Sequence, residues 1–244
     1  MKECFSAMEQ QGVRINKYIA ESGLCSRREA DAYISEGKVR LNGKRAQMGD
    51  RVLEGDSVTV NGKEIGRKKE RHVYIALNKP AGIVCTADTR EEANVIDFVG
   101  HPRRVFPIGR LDKDSEGLLL LTTDGDIVNR LLRAENRHEK EYIVTVNKSL
   151  TQEFLRRMAS GVEILDTKTL PCKIRQSGPK QFNIILTQGL NRQIRRMCEA
   201  LGYRVLTLER VRIMNIRLGH LKRGRWRNLN ESELSELKAS LGMR

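Results

Sequence analysis

Seven residues divide this chain. Residues 66–72, "GRKKERH", are polar and charged and carry no apolar periodicity. A segment with no face to bury reads as a linker. The 244 residues therefore fold as two units, a leading module over about 13–65 and a larger domain over 73–244. Hydrophobic residues make up 39% of the chain, enough for a packed core.

The leading module carries its own punctuation. "VRINKYIAESG" reads as a short helix with a glycine stop at Gly23. Ser26 followed by Glu29 is a capping box for a second helix, which Gly37 ends. "VRLNGKRA" and "VTVNGKEI" each place Asn-Gly between β-type residues, the mark of a tight hairpin. Two short helices and a small sheet then present Arg14, Lys17, Arg27, Arg28, Lys44 and Arg45. Such a unit is too small for an enzyme but suits the grasping of a backbone. Arg27 and Arg28 lie in the first turn of the second helix, where cations oppose the helix dipole by a few tenths of a kcal/mol. A bound phosphate would offset that. Two solvated arginines are the plainer reading, and the residues alone do not choose.

Beyond the linker the pattern alternates. "VYIALNKPAGIVCT" predicts a strand, a Pro-Gly turn and a second strand. Strands recur at "GLLLLTT", "EYIVTVN" and "FNIILTQG". Helices recur at "DIVNRLLRA", "TQEFLRRMASG" and "NRQIRRMCEALG". "NESELSELKASLG" reads as a closing helix capped by Asn230 or Ser232. The mixture predicts an α+β domain of about 170 residues.

The net charge of +14 is concentrated. Residues 1–70 hold 14 Lys/Arg against 11 Asp/Glu, and residues 71–150 hold 12 of each. Residues 151–228 hold 17 against 5, a local excess of +12. A localised excess points to a basic face for a polyanion, nucleic acid above all. Five scattered cysteines without CxxC and four dispersed histidines argue for a reducing compartment and against a zinc site. The opening "MKECFSAMEQQ" lacks an apolar signal core, and no apolar run approaches membrane-spanning length. A cytoplasmic protein is expected, with no membrane partner and monomer as the default state.

Against this basic background, "VFPIGRLDKDSEGLLLLTTDGD" gathers acids. "DKDSEG" opens like an EF-hand loop, but the twelfth position, where calcium needs Glu, is Thr123. Turn chemistry accounts for Asp114, Glu116, Asp124 and Asp126, with Asp126 capping the next helix. It accounts less well for Asp112, which follows the apolar "VFPIGRL" directly. A carboxylate at the edge of a buried strand needs a partner. Asp112 is thus a candidate for chemistry, and a structural role stays open.

The second basic feature is "GLNRQIRRMCEALGY". At 100° per residue Arg195 and Arg196 fall within about 60° of Arg192, opposite Ile194, Met197, Cys198 and Leu201. A guanidinium from this stripe could neutralise a catalytic Asp and lower its pKa. A solvated helix face is the alternative.

These pieces together resemble a known family. "GRLDKDSEGLLLLTTDG" is similar to the signature of the RsuA-type pseudouridine synthases, "HEKEYIVTV" resembles their second motif, and "GLNRQIRRMCEALGYRVLTLERVRIMNIRL" their third. The leading module resembles an S4 RNA-binding domain. The likeness runs from about residue 13 to 230, and "NRQIRRMC" and "HEKEY" look most like the RluF branch, whose members modify large-subunit ribosomal RNA. Some members of that branch carry a basic C-terminal extension, and no added grip from one is expected in a chain ending at Arg244.

The resemblance implies a mixed, mostly antiparallel sheet flanked by helices. It implies Asp112 as catalytic carboxylate, Tyr142 as the ring that stacks on the target base and Arg195 as the cation paired with the aspartate. Arg110 would fill the gap left by the displaced base. Arg14, Lys17, Arg27, Arg28, Lys44, Arg192 and Arg196 would hold RNA. The expected partner is 23S-type ribosomal RNA or a large-subunit precursor, with a transfer RNA as an open second substrate. No metal and no cofactor is expected.

Overall fold

The computed structural model describes residues 12–66, 71–88, 90–132 and 137–243. Most of the expected linker, residues 67–70, lies outside the described residues. The chain divides into two compact units between Arg71 and His72.

In the first unit, β1 (Val13–Arg14) leads into α1 (Ile15–Glu21) and α2 (Arg27–Ser35). The strands β2 (Val39–Leu41), β3 (Lys44–Arg45), β4 (Arg51–Val52), β5 (Val58–Val60) and β6 (Lys63–Ile65) follow. The capping box forms as the residues dictate: Glu29 N donates to Ser26 Oγ at 3.1 Å and Ser26 N to Glu29 Oε2 at 2.6 Å. Asn42 and Gly43, and Asn61 and Gly62, all have positive φ, the backbone of a type I′ hairpin. The four-stranded antiparallel sheet β3-β2-β5-β6 and both helices close over Ile15, Ile19, Ala30, Ile34, Val39 and Val58. Arg14, Arg27, Arg28, Lys44 and Arg45 remain exposed, and Lys17 is half-buried beside Glu21 at 3.5 Å.

The second unit contains β7 (Tyr74–Lys79), α3 (Val95–Val99), β8 (Phe106–Ile108), β9 (Glu116–Thr122), α4 (Gly125–Leu132) and β10 (Lys140–Val146). After α5 (Gln152–Ser160) come β11 (Glu163–Ile164), β12 (Thr167–Lys168), β13 (Lys173–Gly178), β14 (Gln181–Leu186) and α6 (Gln193–Ala200). β15 (Val205–Ile213), β16 (Ile216–Arg217), β17 (Trp226–Asn228) and α7 (Glu231–Ser240) complete it. The main sheet runs β13-β14-β10-β15-β9-β7-β17, with β16 on β15 and β8 on β9. Every pairing in it is antiparallel except β15 with β9. Among the described residues no helix is long and apolar enough to cross a membrane.

Both faces of this sheet are covered, which explains four leucines in a row. Leu118 and Leu120 pack under α4 and α7, while Leu119 and Leu121 pack on the other face with Ile75, Leu77 and Val95. A strand buried on both sides has no polar face to alternate with. β10 and β14 extend the core beneath α5 and α6.

Two local expectations fail. The strand expected after the Pro80–Ala81–Gly82 turn does not form, and Val84 makes a single bridge to Asn94. The carbonyls that would enter a ladder there are taken by Lys79, whose buried ammonium donates to Pro80 O and Ile83 O, each at 2.9 Å. Nor does Asp126 cap α4. That cap is Asp124, whose Oδ1 accepts from Asp126 N at 2.9 Å and whose Oδ2 accepts from the Tyr74 hydroxyl at 2.7 Å. Burial lets Asp124 hold both donors at once. For α7, Asn230 is the cap, in a reciprocal box with Glu233.

Candidate active site

One edge of β9 forks. β15 pairs with it in parallel at Glu116 and Gly117, and β8 pairs with it antiparallel from Leu120 to Thr122. Gly117 permits the close approach of β15, since at its φ of 99° a Cβ would collide with the Arg210 backbone. Between the two pairings Leu118 O lacks a ladder partner, and the Arg210 side chain supplies one, donating from Nε at 2.7 Å. Arg210 Nη1 donates to Arg110 O at 3.3 Å. One buried guanidinium thus ties both ends of residues 110–118 to the sheet.

Asp112 sits in that loop. Ser115 N donates to Asp112 O at 3.1 Å, closing a turn, and Gly82 N donates to Lys113 O at 2.7 Å. Lys79 Nζ reaches the same carbonyl at 3.5 Å, and burial lowers its pKa while Cys85, Asp114, Asp112 and Glu116 oppose that. The "DKDSEG" stretch is a turn whose acids have cationic partners: Asp114 takes Arg192 and Arg195, and Glu116 takes Arg223 at 2.8 Å.

The turn overlooks a cleft of about 470 Å³, a size suited to a small molecule or a single nucleotide. Arg110, Asp112, Tyr142, Arg192 and Arg195 line it together, from a loop, β10 and the start of α6. Lys140 and Arg210 line it too. Among the described residues Asp112 is the one carboxylate in the lining, against five Lys/Arg side chains. Burial, then the charge of Arg210, lowers the pKa of Lys140. The acidic stretch therefore delivers a single carboxylate to a basic cavity.

The arginines are arranged differently from the helical projection. Arg192 does not belong to the helix; it stands at the N-cap with φ of 49°. From there its Nη1 lies 3.6 Å from Asp112 Oδ2 and 3.1 Å from Asp114 Oδ1. Arg195, expected to pair with Asp112, instead reaches Asp114 Oδ2 at 3.3 Å and Ser115 Oγ at 3.3 Å. Its Nε is buried without a partner. The left-handed N-cap moves Arg192 out of the 100° series and into the position expected of Arg195. Arg196 turns away, donating to Asn191 O and Oδ1 at 3.1 and 3.2 Å. Asp114 has its pKa lowered, first by the hydrogen bond from Arg192.

Arg210, Lys79 and Lys140 escaped the sequence reading as site residues. Two of them end or cross strands whose local sequence is ordinary, and only contacts 34 to 100 residues away reveal them. For Lys140 a signal existed, the lysine two places before Tyr142. Arg14, Lys17, Arg27, Arg28 and Lys44 belong to the first unit.

Residues 73–200 match the family of RNA pseudouridylate synthases, and residues 13–58 match the S4 domain. The dual-specificity RNA pseudouridine synthase RluF of Escherichia coli (strain K12) is 58% identical over 94% of this chain and 80% of its own length. The ribosomal large subunit pseudouridine synthase B of Bacillus subtilis (strain 168) is 39% identical over 93% and 96%. A crystal structure of a pseudouridylate synthase superposes with a TM-score of 0.68 at 29% identity, covering 92% of this chain and 99% of that one. An S4 domain joined to a mixed-sheet catalytic domain defines the class, an RNA-modifying isomerase. This chain belongs to the RNA pseudouridylate synthase family.

Proposed function

We propose that the chain converts a uridine of 23S-type ribosomal RNA to pseudouridine, with Asp112 as the catalytic carboxylate. The supporting observation is the lone carboxylate of the cleft, ion-paired to Arg192 and set among cations. In the reaction the N1–C1′ bond breaks, the uracil turns, C5 bonds to C1′, and the C5 proton leaves for solvent as N1 gains one. Asp112 serves by bonding to C1′ or by taking the 2′ proton, and either route needs it ionised beside the sugar. Arg192 Nη1, 3.6 Å from Asp112 Oδ2, is the cationic partner of that carboxylate. Arg110, Arg195, Lys140 and Arg210 surround the space where departing uracil would carry negative charge, and such positive surroundings stabilise it.

The target must leave its stack, at a cost of a few kcal/mol. Tyr142 offers a ring on the cleft wall, and stacking on it returns about 1–3 kcal/mol. The first unit, through Arg14, Lys17, Arg27, Arg28 and Lys44, grips phosphates without reading bases. The dual specificity in the name of the Escherichia coli relative supports extending the proposal to a second RNA; a transfer RNA is the one we propose.

Tritium release tests the assignment. Ribosomal RNA labelled at uridine C5 is incubated with the protein and with Asp112→Asn. Release by the wild type alone is expected. Equal release by both would remove Asp112 from the chemistry.

A further inference from the structure

On the far side of Arg192 and Arg195 lies a second cleft of about 460 Å³. Its lining adds Arg196, Arg204, Tyr203 and Glu199 to those two arginines. We propose that it seats the phosphodiester backbone of the RNA strand adjoining the target uridine; the proposal rests on the reading of the first cleft as the catalytic one.

The lining sets four arginines against one carboxylate, Glu199. Several arginines elsewhere in the unit have carboxylates at hand: Arg156 meets Glu153 at 2.7 Å, Arg223 meets Glu116 at 2.8 Å, Arg227 meets Glu233 at 2.7 Å and Arg212 meets Glu139 at 3.0 Å. In the second cleft Arg196 bonds only the neutral Asn191, and the exposed Arg204 side chain has no hydrogen bond or ion pair among the described residues. Beside the cleft the Lys148 ammonium stands over the Tyr203 ring, 4.4 Å from its centroid, instead of on an acid. The Tyr203 hydroxyl is fixed by donating to Ser149 O at 3.2 Å, which holds that wall in place. Arg192 and Arg195 share Asp114, and Glu199 is the one carboxylate of the lining among the described residues, so Arg196 and Arg204 leave an excess of positive charge that marks the footprint of an external polyanion.

Continuity names the occupant. Arg192 and Arg195 line both clefts, so a strand whose uridine enters the first must pass these guanidiniums as it leaves. The next phosphates then meet Arg196 and Arg204. Contacts of this kind set register and add affinity without reading sequence.

The test uses the full chain with Arg204→Gln and with Arg196→Gln/Arg204→Gln. The double variant should lower the slope of log affinity against log salt by about 0.7–0.9 per charge removed and raise KM about tenfold. Turnover at saturating RNA should stay within about twofold, since phosphate contacts act on binding. Arg204→Lys, which keeps the charge, should retain the wild-type slope, and Arg156→Gln should leave it unchanged. An unaltered slope and KM in the double variant would overturn the proposal. So would inhibition by inorganic phosphate that disappears in the variant while the KM for RNA holds, which would mark a free-phosphate site. Failure of the catalytic reading shows separately, as no tritium release by the wild type, with the salt slope still reporting on this cleft.

Discussion

Arg210 gives Leu118 the hydrogen bond that a strand should have given it. Its Nε meets Leu118 O at 2.7 Å where β15 and β8 part along β9. The same guanidinium holds Arg110 O, so the loop carrying Asp112 is pinned at both ends by one side chain that is 3% exposed. The fork in the sheet creates the cleft, and the arginine keeps the fork from leaving a buried carbonyl unpaired.

Replacing Arg210 by Met strands those two carbonyls, at about 1–3 kcal/mol each. Residues 110–118 should then loosen and Asp112 lose its aim. A displacement near 1 Å costs about 100-fold in rate. The expectation is a kcat for tritium release down by about that factor, with KM changed much less. Arg210→Lys should recover part of the rate. A melting temperature that falls while kcat holds would reduce Arg210 to a packing role.

The leading module was legible from its residues because its signals are local. A capping box acts over three residues and an Asn-Gly turn over two. The leucine run was legible as a strand, though not that both its faces are covered, since α4, α7 and α3 come from separate stretches. Asp112 was reached by eliminating turn roles and by resemblance. The resemblance implied Arg195 as its ion partner and the helical projection left three arginines open; Arg192, at the N-cap with a φ of 49°, is the one that stands 3.6 Å from Asp112. Lys79 was invisible as an anchor because "LNKPAG" reads as a strand end and a turn, while the carbonyl that it reaches in the Asp112 loop lies 34 residues on.

Gly117 carries the parallel pairing. Its φ of 99° disfavours any side chain, and a Cβ would stand 2.7 Å from Arg210 N and closer still to Arg210 O. Gly117→Ala should destabilise the protein by about 2 kcal/mol or more, since strain and overpacking act together. Urea unfolding measures this. The comparison is Gly125→Ala, whose Cβ would meet nothing within 4 Å. Equal midpoints for the two variants would contradict the account.

Asp114 makes stability sensitive to acid. Its folded pKa is lowered, chiefly by the hydrogen bond from Arg192. The stabilisation is therefore full above the ordinary carboxylate value of about 4 and is lost as pH falls through the lowered one. Asp114→Asn should flatten the fall in melting temperature on acidification below about pH 4. A curve parallel to that of the wild type would show that this pair contributes nothing measurable.

Tyr142 separates two roles by two substitutions. Its ring lines the cleft from β10, where Arg210 is its neighbour on β15. Tyr142→Ala removes the stacking surface, so about 1–3 kcal/mol of base binding should go with it. Tyr142→Phe keeps the ring and removes only the hydroxyl, which the proposed reaction would use to assist loss of the C5 proton. If the hydroxyl acts there, Tyr142→Phe should form the C5–C1′ bond and then stall, slowing tritium release while the N1–C1′ bond still breaks. Rapid-quench analysis of the RNA, set beside tritium counts, distinguishes the steps. Release as fast as in the wild type would leave Tyr142 as a stacking platform alone.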